Sequence, residues 1–266
     1  MIQDYFNRIN YRSNPLPDLK TLEELHRCHT LAIPFENFDA FTENEVKIDL
    51  ESLFDKIVRK KRGGYCFEQN LLFFEVLKHL GFKVSLIGAR VLIGREKDVV
   101  PQQTHIMSLI EIDNVKYLSD VGFGSNTPEA PFRFVLDNEQ QALHDHLRIS
   151  ALDDDFILEK KILGNWKRLN RFNLNRVYYS DCEVANFFVY AHPTSKFRNN
   201  LMVSRILPEG RITLDNLEFS FYPYDGEIIK KTIDSEEELE KFLTKDFEFP
   251  DEVITKKLLE KLGLLN

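Results

Sequence analysis

The chain has 266 residues, 43% of them hydrophobic and 29% charged, with a formal net charge of −8. That supplies a core for one large domain or two to three small ones, and the acidic balance excludes a general attraction for nucleic acid or anionic lipid while allowing one local basic patch. No stretch approaches the roughly 18 apolar residues of a membrane span, and residues 1–11 are acidic and polar where a signal peptide is apolar, so the expectation is a cytoplasmic protein.

The first third reads as helical. Thr21 followed three residues later by Glu24 has the pattern of a capping box, and Leu22, Leu25, Cys28 and His29 then share one helical face. A second helix over 50–60 ends in Arg59-Lys60-Lys61-Arg62, before Gly63-Gly64. A third runs from Cys66 to Leu80 and stops at Gly81. From residue 83 the period changes to two, predicting strands at 84–92, 105–112 and 115–121, then near 147–150, 155–163, 203–207 and 211–223. The tail returns to helix, with Ser235 as a cap and an amphipathic stretch over 251–263. Helices followed by strands and a mixed end make an α+β pattern, not an alternating parallel one.

Three cysteines without framework spacing read as reduced thiols. Cys66 follows two glycines and opens a helix, where unpaired N–H groups and the helix dipole stabilise a thiolate. Cys28 has the mid-helix, apolar setting of a structural cysteine. Between 105–112 and 115–121, Asp113-Asn114 is a two-residue hairpin turn. Ile112 then faces Val115 and Glu111 faces Lys116, a favourable charge pair. Asp120 falls opposite Met107, which makes it the diagonal neighbour of His105 on one face, within side-chain reach. An arbitrary His/Asp pair is more often structural than catalytic, but Gly122 and Gly124 just after this aspartate suggest close approach of a ligand. His26, Cys28 and His29, and the run His144-Asp145-His146, lack the paired spacing of a zinc site, so no metal is expected.

Arg62-Gly63-Gly64-Tyr65-Cys66-Phe67-Glu68-Gln69-Asn70, Thr104-His105 and Asp120-Val121-Gly122-Phe123-Gly124 resemble the catalytic signatures of the arylamine N-acetyltransferase family. Pro34-Phe35-Glu36-Asn37-Phe38 and His192-Pro193-Thr194-Ser195-Lys196-Phe197 are similar to two further motifs of that family, so the resemblance spans 34–197 in order. Gln69 departs from it, standing where an apolar residue such as leucine is expected.

The resemblance implies a helical bundle over 1–85 carrying the nucleophile, a central antiparallel β-barrel over 86–193 carrying His and Asp, and an α/β lid region over 194–266, around a papain-like cysteine triad. It implies Cys66 as nucleophile, His105 as base and Asp120 as orienting carboxylate. The activity implied is ping-pong transfer of acetyl from acetyl-CoA, through an acetyl-cysteine, to an aromatic amine, hydrazine or N-hydroxyarylamine. Phe35, Phe123, Gly124 and Ser125 are the expected substrate contacts, with acceptor selectivity set over 125–131, and Phe38 is mostly core. Arg62 and Glu36 are expected as a buried pair, and Glu68 and Asn70 as supporting hydrogen-bonders. Lys196, Arg198 and Arg205 are candidates for the CoA phosphates. An amide synthase using another acyl thioester, a thiol hydrolase of transglutaminase-like type and a non-enzymatic binding module stand as alternatives. The sequence is silent on oligomeric state.

Overall fold

The computed structural model describes residues 1–96 and 98–265. The chain opens with α1 (Ile2–Arg8), α2 (Leu19–Ala32), the short α3 (Phe38–Phe41) and α4 (Leu50–Phe54). The last runs on as a wide turn over Asp55–Arg59 before α5 (Cys66–His79). From Cys66 to Phe73, α5 is buried without a break, as befits a helix enclosed on all sides. It ends at Leu80, and Gly81 follows at φ +86, a conformation a side chain would strain. The cap of α2 is Asp18, not Thr21: Asp18 Oδ1 accepts the Thr21 N–H at 2.8 Å, so the helix starts earlier than the Thr21 pattern predicts. Cys28 is only half-buried, at the edge of the face that Leu22, Leu25 and His29 bury completely.

Eight strands form one antiparallel sheet: β1 (Lys83–Val91), β2 (His105–Ile112), β3 (Val115–Ser119), β4 (Phe132–Arg133), β5 (Gln140–Ala142), β6 (Asp145–Leu152), β7 (Asp155–Ile162) and β8 (Asn165–Val177). Their order is β4-β3-β2-β1-β8-β7-β6-β5. The sheet curls until its two edges meet. There the Gln140 amide donates to Arg133 O and accepts the Arg133 N–H, both at 2.9 Å, which nearly closes a barrel and satisfies edge groups that would otherwise invite pairing with another chain. The β2–β3 register is the one the Asp113-Asn114 turn dictates, with Ile112 opposite Val115 and Glu111 opposite Lys116. The charge partner of Glu111 differs, however: its carboxylate lies 2.6 Å from Lys83 Nζ on β1. Alternation along β2 sends Ile106 and Ile110 to the helices and Met107 into the barrel.

Beyond the barrel come α6 (Tyr179–Ala191) and α7 (Lys196–Asn199). A four-stranded sheet follows, of β9 (Met202–Leu207), β10 (Gly210–Asp215), β11 (Glu218–Pro223) and β12 (Ile229–Thr232), then α8 (Glu236–Lys241) and α9 (Lys256–Leu262). The single run expected at 211–223 is a hairpin, broken at Asn216 with φ +54. The helix expected over 251–263 starts only at Lys256, behind a Thr255 cap. Ser235 caps α8 as expected. Among the described residues no helix is long and apolar enough to cross a membrane.

Two histidines of α2 join the helices to the barrel. His26 is fully buried, with Nε2 2.8 Å from Pro128 O and Nδ1 2.8 Å from Ser119 Oγ. A carbonyl only accepts, so Nε2 carries the proton and Nδ1 accepts from the hydroxyl. His29 repeats the arrangement between Tyr5 Oη (2.8 Å) and Gln69 Oε1 (3.2 Å). Burial pushes His26 down to about 4 and His29 down to about 3. Both therefore stay neutral in the fold after the unfolded chain has begun to take up protons, near pH 6.5. Their stabilisation is complete above that pH and is lost as pH falls toward 4, by about 1.4 kcal/mol per pH unit per histidine. Melting at pH 7, 6 and 5 should show the wild type losing about 4 kcal/mol of stability over this window. The variant His26→Gln/His29→Gln should lose clearly less, and an equal loss in both proteins would reject the assignment.

Candidate active site

Cys66 is the first residue of α5. Glu68 Oε2 accepts the Tyr65 N–H at 3.0 Å, capping the helix from inside its first turn. The two preceding glycines are demanded by space. A Cβ on Gly63 would lie 2.0 Å from Pro34 O, and one on Gly64 2.8 Å from Glu68 Cβ. The thiol is 4% exposed, with Sγ 3.6 Å from Thr104 O, the carbonyl just before His105. Burial pushes the Cys66 thiol well above its ordinary value and the Asp120 carboxylate adds to this, while the N–H groups of Phe67 and of Cys66 itself pull it down. A lone thiolate is thus disfavoured here, and one forms only beside a new positive charge.

His105 opens β2 and Asp120 follows β3, both buried, with His105 Nε2 2.6 Å from Asp120 Oδ2. The hairpin register accounts for this pairing, as the diagonal relation anticipates. The second oxygen of Asp120 accepts from Asn70 Nδ2 at 2.9 Å and from the Gly122 N–H at 3.1 Å. Asn70 lies one helical turn after Cys66, on the same face. Its amide also donates to Ile106 O at 2.8 Å and accepts the Val121 N–H at 3.0 Å. A Cβ on Gly122 would lie 3.0 Å from Cys66 Cα, a contact tight enough to press this segment off the helix start.

Arg62 and Glu36 do pair, at 2.8 Å, but within a larger buried cluster that the sequence did not reveal. Arg62 also meets Asp39 at 3.0 Å, and Lys56 Nζ reaches Asp39, Glu68 and Glu36 at 2.7, 2.6 and 3.3 Å. Burial pushes Glu68 up, against the restraining charge of Lys56. Gln69, the departure from the expected leucine, is 1% exposed and fully engaged. Its amide donates to Gly64 O at 2.7 Å and Pro34 O at 3.3 Å, and its oxygen serves His29. A polar chain from Tyr5 thus ends on the glycine loop before Cys66.

The Phe123 ring stands edge-on to His105, with centroids 4.6 Å apart. Gly124 has φ +64 and lies against the Phe35 ring, while Ser125 is exposed. Phe35 packs on Phe197, and Phe197 on Tyr65, so the 34–38 and 192–197 motifs meet beside the residue that precedes Cys66. Phe38 is buried against Phe249, as a core residue. Two of the three basic residues considered for phosphate contact have other partners: Arg205 pairs with Glu248 at 2.8 Å, and Arg198 donates to Ala191 O at 2.8 Å and meets Glu43 at 3.5 Å. Lys196 is exposed.

The family model described as N-acetyltransferase matches residues 18–252. An arylamine N-acetyltransferase of Escherichia coli (strain K12) is 38% identical, over 84% of this chain and 79% of that protein. The arylamine N-acetyltransferase / N-hydroxyarylamine O-acetyltransferase of Salmonella typhimurium is 34% identical, over 82% of this chain and 78% of that one. The solved structure of Mycobacterium marinum arylamine N-acetyltransferase in complex with CoA superposes at a TM-score of 0.94 and 29% identity, covering 100% of each chain. With these matches laid over the geometry around Cys66, the chain belongs to the arylamine N-acetyltransferase family.

Proposed function

We propose that the chain takes the acetyl group of acetyl-CoA onto Cys66 and passes it to the nitrogen of an arylamine or hydrazine, or to an N-hydroxyarylamine, in the cytoplasm. In this reading Cys66 is the nucleophile, His105 the base and Asp120 the carboxylate that orients it. The observation that carries it is the buried 2.6 Å contact of His105 Nε2 with Asp120, on the residue next to Thr104, whose carbonyl lies 3.6 Å from Cys66 Sγ.

The thiol proton moves to His105 Nδ1, and Asp120 stabilises the imidazolium, so the site changes charge without gaining net charge. The thiolate attacks the thioester carbonyl, and the backbone N–H groups at the start of α5 are suited to receive the developing oxyanion. The carbon–sulfur bond to CoA breaks, and the leaving thiolate takes the proton from His105. An amine then attacks the acetyl-cysteine, His105 removes its proton, and the Cys66 thiolate leaves. Burial of Cys66, His105 and Asp120, at 4%, 1% and 0% exposure, keeps water from competing with the amine. Phe123 and Ser125 are on the segment an acceptor would pass, whereas Phe35 supports Gly124 from behind.

Purified protein should release CoA from acetyl-CoA in proportion to turnover only when aniline or a hydrazine is present, and Cys66→Ala should release none. Release that ignores the amine would mean hydrolysis, and no release from protein whose Cys66 still alkylates quickly would favour another acyl thioester. Asp120→Asn should slow both Cys66 alkylation and turnover by about a hundred- to ten-thousand-fold. Asn70→Leu should destabilise the fold by about 2 kcal/mol or more, by orphaning Ile106 O and the Val121 N–H. It should lower turnover further than the melting shift explains, and a folded variant with wild-type turnover would remove Asn70 from the mechanism.

A further inference from the structure

Residues 122–129 form a strap that leaves Asp120 and crosses the site. Gly122 rests on Cys66 and Phe123 on His105. Behind it, Gly124 and Thr127 face Thr30 of α2 and Ser204 of β9 across a cavity of only about 10 Å³, at the lower limit for one water. Elsewhere Asn126 lines a cavity of about 330 Å³ together with Ile93, Trp166 and Lys167, a volume in the range of small-molecule sites.

The strap is held by its carbonyl groups. Arg211 of β10, buried and far away in sequence, donates from Nη1 to Thr127 O at 2.7 Å and to Ser125 O at 3.4 Å, the carbonyls on either side of Asn126. Its other nitrogen meets Glu129 at 3.0 Å and Asp145 at 2.7 Å, and Lys160 meets Asp145 at 2.6 Å. The second oxygen of Glu129 lies 2.9 Å from His144, whose ring stacks on Tyr224 at 3.6 Å. Two buried cations thus balance two buried carboxylates, and His26 grips Pro128 O from the helical side. Buried charges in such numbers stabilise little by themselves. Their geometric effect is to give the strap one position.

We propose that Arg211 is a positioning residue for the acceptor half of the reaction, fixing through the strap carbonyls where Phe123 and Asn126 stand and so which amines reach acetyl-Cys66. This rests on the acetyl-transfer reading above, but alkylation of Cys66 tests it without acetyl-CoA. Iodoacetamide is small, and 2-bromoacetanilide carries the aryl group of an acceptor; peptide mass reports reaction at Cys66 for each. In Arg211→Lys the charge stays while the second donor nitrogen is lost. In Arg211→Met/Glu129→Gln the cluster stays neutral through Lys160 and Asp145, which protects folding.

For both variants, the iodoacetamide rate should stay within about twofold of wild type, and the ratio of aryl to small-reagent rates should shift at least fivefold. The KM for aniline should shift with that ratio, while the KM for acetyl-CoA holds. An unchanged ratio in folded protein overturns the proposal. So does an equal fall of both rates that tracks the melting temperature, which would mark Arg211 as structural only. Absence of amine-dependent CoA release from wild type would instead refute acetyl transfer, and the alkylation ratio would still decide the role of Arg211.

Discussion

One buried amide, Asn70, holds Cys66, His105 and Asp120 in a common frame. Its nitrogen and oxygen reach Ile106 O, Asp120 Oδ1 and the Val121 N–H, so a helix that carries a thiol is bound to a hairpin that carries an imidazole and a carboxylate. An amide suits the task because it donates and accepts at once and carries no charge into a site where Asp120 is already buried. A carboxylate at this position would repel Asp120 and leave Ile106 O without its donor, and an apolar residue would strand Ile106 O and the Val121 N–H.

The thiol depends on that frame for electrostatic reasons. Burial and Asp120 both oppose a thiolate at Cys66, and the helix N–H groups offset only part of this. A thiolate at Cys66 therefore needs a compensating positive charge close by, which the helix start alone does not supply. Around this frame the Lys56–Arg62–Glu36–Asp39–Glu68 cluster fixes the Gly63-Gly64 loop, and Glu68 links the cluster to the helix cap. Arg211 acts likewise on residues 125–129, through the carbonyls of Ser125 and Thr127.

Several elements were legible because their signals are local. The Gly81 stop, the Asp113-Asn114 turn and the β2–β3 register each depend on a few adjacent residues. Others were hidden for identifiable reasons. β8, the longest strand, escapes a period-two reading because its pairing shifts by one residue against β7 at Leu158/Glu159, which reverses the alternation, and is interrupted again against β1 between Ile87 and Ala89. Lys56 has the sequence setting of a solvated helix residue, yet its side chain is largely withdrawn from solvent because Glu36, Asp39 and Glu68 converge on it from other segments.

The sequence by itself determined the α+β class, the glycine-flanked Cys66 at a helix start, and the His105–Asp120 pairing. These follow from caps, turns and strand parity, which act over a few residues. Only the tertiary structure decided that Gln69 ends a buried chain from Tyr5, that Glu111 pairs with Lys83 instead of Lys116, and that Arg211 grips the strap beside Cys66. Those contacts join residues tens of positions apart, and the partner of a polar side chain across such distances is chosen by packing and desolvation rather than by neighbours along the chain.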